Sequence, residues 1–282
     1  MFYIKHGSDN FTIIDCCLAD ENKNSIVDEI KEEKKGKGIT RFISTHPDED
    51  HIQMLDYLDD EIEILNFYCV KNETTKPEET SGFKRYKELH YSSKKSFYLE
   101  KGCSRKWMNQ SDDERGSSGI NILWPDPNSE YFKTALKNVK NGKTPNNISC
   151  IIKYSLNDGV NAIWMGDLEK DFMENIKDEI SLPRTHILFA PHHGRKSGKI
   201  PQEWIDEMNP DIIVMGEANS NDSDYASYPN HNKIRQNSAK DIIFQCETGK
   251  VHVYCSSKEY NVDFLDDERK TTYNYYKGTL NL

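Results

Sequence analysis

The sequence has no uninterrupted apolar run of the ~18 residues a membrane-spanning helix needs, so no transmembrane segment is expected. It has no CxxC pair. Its seven cysteines, Cys16, Cys17, Cys69, Cys103, Cys150, Cys246 and Cys255, are odd in number, which disfavours a disulfide framework or a zinc ribbon; reduced thiols are expected. It has no excess of positive charge. With 37 basic against 47 acidic residues the net charge is -10, which argues against a protein that coats nucleic acid by charge alone. A nuclease is not excluded, because a metal centre and a local basic patch can supply the positive field. The stretch "MFYIKHGSDNFTIIDCC" lacks the charged start and continuous apolar run of an export signal, so the expected compartment is the cytoplasm.

What is present fits a folded α/β chain. There are 282 residues, enough for one large domain or two small ones. Mean hydropathy is low at -0.83. Aromatic residues at 11% still supply a packed core and speak against disorder. "FYIKHG" and "FTIIDC" read as an opening β-hairpin, and "SIVDEIKEEKKGKG" as a helix stopped by glycine. "ITRFIST" reads as a buried strand. "HIQMLDYLDD" follows with Ile52, Leu55 and Leu58 at helical spacing, and "EIEILNFYCV" is the next strand.

Residues 71–118 are polar and read as an insertion or lid, with a helical "GFKRYKELHYSSKKSFYLEKG" and the most basic stretch of the chain, Lys84 to Lys106. "INILWP" is a strand, "NSEYFKTALKNVKNG" a short helix or polar loop, and "SCIIKYSL" with "NAIWMGD" a hairpin across "NDG". "LEKDFMENIKDEI" is expected to be helical with Leu168, Phe172, Ile176 and Ile180 on one face. "THILFAPHHG" is a strand ending in two histidines. "PQEWIDEMNP" is a helix, "DIIVMGEA" a strand, "HNKIRQNSA" a helix start and "DIIFQCETGKVHVYCS" a closing hairpin. The polar tail, residues 257–282, is expected to fray or to bind a partner. Strands grouped in two helix-interleaved runs suggest two sheets packed face to face with helices outside.

The chemistry concentrates in "STHPDEDHIQ", where His46, Asp48, Asp50 and His51 form HxDxDH at a strand-to-helix turn. Open α/β sheets place ligand sites at such carboxyl ends. Imidazoles and carboxylates at this density suit a pair of divalent metals. An acidic helix start would account for Asp50 alone but not for both histidines. "WMGDLE" sets Asp167 between a strand and a helix, where by itself it reads as an N-cap. "FAPHHGRKSG" offers His192 and His193; neighbours on a strand face opposite ways, so one of the two is expected to reach a metal.

The ordered set "IIDC", "STHPDEDHI", "ILWP", "NNISCIIKY", "WMGDLE", "FAPHHGRKSG" and "YPNH" resembles the metallo-β-lactamase superfamily, and within it the metallohydrolase domain of ComEC-type competence proteins and their stand-alone relatives. The resemblance spans residues 1–256. It implies an α/β fold, a four-layer αββα sandwich of two mixed sheets flanked by helices. It also implies a metal-dependent hydrolase, in the first place a phosphodiesterase or nuclease using a metal-bridged hydroxide and two divalent ions, Zn²⁺ or Mn²⁺.

By the same resemblance the metal residues are His46, Asp48, Asp50, His51, Asp167 and one of His192 and His193. Asp167 bridges, and Asp15 braces the metal loop from behind. Asn147 and Ser149 line the site. Asp48 stands where the wider superfamily has histidine, which shifts the set toward oxygen donors and makes manganese as plausible as zinc. Arg195 stands where relatives carry serine; with Lys196 and Ser197 it offers contacts to a phosphate. His231 is open between leaving-group acid, substrate contact and surface residue. Nucleic acid is the expected substrate. The alternatives are a lactone, thioester or β-lactam substrate on the same fold, or an effector subunit working with a separately encoded partner. His6, His90, His186 and His252 are expected to be structural or exposed.

Overall fold

The computed structural model describes residues 1–218, 222, 224 and 226–282. The chain is α/β, with two mixed sheets and several helices. It divides into two compact units, Met1–Ile151 and Ile152–Leu282.

The first unit opens with β1 (Phe2–Lys5) and β2 (Asn10–Ile14), an antiparallel pair as the sequence suggests. Two-residue β3 (Cys16–Cys17) and α1 (Lys23–Glu33) follow. Buried β4 (Ile39–Ser44) then lies parallel to β2. The helical stretch after it is broken in two: α2 (Glu49–Ile52) and α3 (Leu55–Ile62), with Gln53 extended and Met54 left-handed between them. The break lets Ile52 and Gln53 bridge to Cys16 and Cys17 as a strand would, which a continuous helix could not do. Then come β5 (Asn66–Cys69), α4 (Ser81–His90), β6 (Ser96–Tyr98), β7 (Ile120–Trp124) and α5 (Glu130–Lys140). The sheet order is β1-β2-β4-β5-β6.

Residues 81–98 thus supply an edge strand and an amphipathic helix. Phe83, Tyr86 and Leu89 of α4 enter the same buried cluster as Phe11, Phe42 and Phe67 of the sheet. Three basic residues of the Lys84–Lys106 stretch are ion-paired: Arg85 with Asp59 and Asp60, Lys87 with Glu79, and Lys106 with Asp112.

The second unit begins with the antiparallel hairpin β8 (Ile151–Ser155) and β9 (Asn161–Trp164). Helix α6 (Lys170–Ile176) is shorter than its apolar spacing suggests. Met173 and Ile176 are its buried residues, while Leu168 and Ile180 lie outside it. Strand β10 (Ile187–Phe189), helix α7 (Gln202–Met208) and strand β11 (Ile212–Met215) follow, with β10 parallel to both β9 and β11. The segment read as a helix start is instead strand β12 (Asn232–Arg235), parallel to β11, and then the single turn α8 (Gln236–Ala239). Strand β13 (Ile242–Glu247) and strand β14 (Lys250–Cys255) form the expected hairpin. The polar tail contributes a strand. It returns as β15 (Tyr276–Asn281), antiparallel to β14, with Thr279 buried against His252. No helix among the described residues is long and apolar enough to cross a membrane.

Candidate metal centre

In the first unit, Asp15 and the turn after β4 build the ligand loop. Asp15 adopts a left-handed φ of 57°, tolerable for Asp because its short side chain bonds locally. Its backbone N–H donates to Ile43 O at 2.9 Å. One carboxylate oxygen accepts from Thr45 N at 2.7 Å. The other accepts from the Thr45 hydroxyl at 2.7 Å and lies 2.8 Å from His51 Nδ1. Asp15, Thr45, His46 and His51 are all buried.

A buried carboxylate facing Nδ1 holds the proton there and fixes the tautomer that leaves Nε2 as a ligand atom. His51 Nε2 is 3.9 Å from Asp50 Oδ1. The His46 ring packs against the His51 ring at 4.2 Å between centroids, with His46 Nδ1 3.1 Å from the Thr45 hydroxyl. One Asp48 oxygen, Oδ1, has partners of its own: it caps α2 through Glu49 N at 3.0 Å and faces Lys76 Nζ at 3.4 Å. Asn147 lies within a single 3₁₀ turn, Asn146–Ile148, and Ser149 follows it; Cys150 N donates to Thr45 O at 3.2 Å, which lays this segment along the ligand loop.

In the second unit, Asp167 follows β9 and is buried. The histidine pair follows β10, not within the strand as expected but in a tight turn with both residues left-handed, φ 49° and 56°. Alternation along a strand therefore does not decide between them; the turn does. His193 Nε2 lies 3.7 Å from Asp167 Oδ2. His192 faces Arg195 Nη1 at 3.4 Å and Ser197 Oγ at 3.1 Å. Burial pushes the His192 pKa below the usual histidine range, with nearby Arg195 acting in the same direction after the opposing pull of Asp167. The two loops are tied by His192 N donating to Gly166 O at 2.8 Å. Gly194 completes the turn at φ 76°, and a Cβ there would stand 2.5 Å from the Met215 methyl. Lys196 and Ser197 are exposed.

His231 stands at the other end of this sheet. Its neighbour Asn232 pairs with Ile212 at the start of β11, and its Nδ1 lies 3.0 Å from Pro210 O. Asp167 and His193 follow the strands' carboxyl ends, about 10–13 Å away along a four-residue strand. Among the roles open to His231, this placement speaks against that of leaving-group acid. Tyr225, the start of the "YASYPNH" segment, lies outside the described residues. His6, His90 and His252 are buried, and His186 accepts from Asn161 N.

The donor chemistry in both units suits a divalent ion: imidazole nitrogens and carboxylate oxygens, with no thiolate among them. Cys16 and Cys150 lie nearby, but burial pushes both thiols up, so neither offers a thiolate. Two residues of this environment escaped the sequence reading. Thr45 sits inside the motif as an unremarkable hydroxyl, and Lys76 lies 28 positions from its partner Asp48 with no local signal. No family model and no curated protein matches this sequence.

Proposed function

We propose that the protein is a metal-dependent hydrolase of phosphodiesters, with nucleic acid as its substrate class, on the αββα sandwich implied by the motif order. By the motif resemblance, Asp50 and His51 in the first unit and Asp167 and His193 in the second would each serve as ligands to a divalent ion. His46 and Asp48 would serve a second, either ion being zinc or manganese. The observation that carries the reading is the Asp15–His51 pair at 2.8 Å, a buried acid fixing an imidazole beside Asp50. Such carboxylate–histidine pairs are how proteins orient metal-binding imidazoles. A divalent ion there supplies Lewis acidity and makes water a competent nucleophile at neutral pH.

The chain's own groups do the rest. Asp15 keeps the His51 proton on Nδ1. The His192 ring, held by Ser197, steers Arg195, whose fork suits a non-bridging phosphoryl oxygen. Lys196, exposed one residue on, adds positive field. Cations so placed favour an anionic substrate over a lactone or β-lactam. Asn147 and Ser149, laid along the ligand loop, offer polar contacts to the ester.

The test is turnover of DNA, RNA and bis-p-nitrophenyl phosphate with Mn²⁺ or Zn²⁺, with nitrocefin and a homoserine lactone as comparators. Metal-dependent phosphodiester turnover that disappears in Asp50→Ala and in Asp167→Ala is expected. Turnover that survives both substitutions, or a clear preference for the comparators, would overturn the reading.

A further inference from the structure

Lys76 belongs to none of the motifs, yet its Nζ lies 3.4 Å from Asp48 Oδ1 and 3.9 Å from Glu49 Oε2. The lysine side chain is only 16% exposed, and its ammonium stands 5.0 Å from the centre of the Phe83 ring. It is thus held in place by partial burial and a cation–π contact. Asp48 uses the same oxygen for both Glu49 N and Lys76. The frame around the pair is stiff. The Thr80 hydroxyl accepts from Phe83 N at 3.1 Å and donates to Glu49 Oε2 at 3.0 Å. Gly82 lets α4 lie directly against the Ile52 carbonyl, where any Cβ would collide. Asp50, by contrast, faces His51. The two aspartates of one loop therefore face different partners.

We infer that Lys76 is a resident counter-ion for Asp48, so that of the two divalent ions in the proposed centre the one served by Asp48 binds the more weakly, against the field of the ammonium or by displacing it. This rests on the metal reading above. A divalent ion beside Asp48 is repelled by a fixed positive charge a few ångströms away, and moving Lys76 aside gives up its Phe83 contact and its partial burial.

The test is calorimetric titration of metal-stripped protein with Mn²⁺ alone, for the wild type, Lys76→Met, Lys76→Gln and Lys76→Arg, with circular dichroism as a check on folding. Methionine keeps the stem packing and removes the charge. The wild type is expected to bind one ion tightly and a second more weakly. Lys76→Met and Lys76→Gln should tighten the second ion by about tenfold or more and move the first by less than about threefold, while Lys76→Arg keeps the wild-type pattern. A structural defect would weaken binding, so tightening separates the two explanations. Two ions bound with affinities indifferent to residue 76, or a weakened second ion in folded Lys76→Met, would overturn the inference and leave the metal reading standing. A wild type that binds no ion would end both.

Discussion

Asp15 and His51, 36 positions apart, meet at 2.8 Å in the interior, and the same Asp15 carboxylate also takes the Thr45 N–H and hydroxyl. One buried acid therefore fixes both the course of the ligand loop and the orientation of an imidazole. Replacing Asp15 by Asn keeps the size but removes the charge that holds the Nδ1 proton. Metal affinity should fall by about 10- to 100-fold. Calorimetric titration with Mn²⁺ or Zn²⁺ checks this, and an unchanged affinity would show that Asp15 serves the fold alone.

The two adjacent histidines should behave differently. His193 lies against Asp167, whereas His192 faces Arg195 and Ser197. His193→Ala is expected to abolish tight metal binding. His192→Ala should leave metal affinity within about threefold and instead raise KM for phosphodiesters, by losing the group that steers Arg195. Comparing metal titrations with a split of KM and kcat distinguishes the two roles.

His231, at the amino ends of the strands, should be dispensable for chemistry. His231→Asn is expected to keep kcat within about twofold of the wild type and to leave the pH–rate profile unmoved. A lost limb in that profile would restore its role as an acid.

Acid should destabilise the fold through buried neutral histidines. Burial, helped by Arg41 and Lys37, lowers the His6 pKa to about 3, and burial lowers that of His90 to about 4. Unfolded histidine binds its proton near pH 6.5. The folded state, with its lower pKa, binds it later, so this stabilisation is complete above about 6.5 and is lost as pH falls toward 4 and below. Each group should cost about 2 kcal/mol by pH 5. Urea midpoints of the wild type and His6→Gln between pH 7 and 5 check this: the variant, though less stable at pH 7, should show the shallower fall.

How much of this was legible in the sequence depends on how local each signal is. Strands with alternating or continuous apolar residues, such as "ITRFIS", were read correctly because burial dictates composition residue by residue. The break at Gln53 and Met54 was not legible. It answers to Cys16 and Cys17, distant in sequence, and the local pattern of Ile52, Leu55 and Leu58 fits an uninterrupted helix equally well. β12 and β15 were missed for a similar reason: their polar sequences become strands because the neighbouring strands β11 and β14 offer backbone partners. In the candidate site, His46, Asp50 and His51 stood out because they cluster within one turn. Lys76 did not, since nothing near it in the chain marks it as the partner of Asp48.

The most direct test of the central claim is metal binding by single substitutions taken from each unit: His51→Ala from the first and Asp167→Ala from the second, each titrated with Mn²⁺ and with Zn²⁺ beside the wild type. The account predicts that the wild type binds a divalent ion tightly and that either substitution alone strongly weakens metal binding while circular dichroism stays unchanged. A folded variant of either kind that keeps wild-type affinity, or a wild type that binds neither metal, would contradict it.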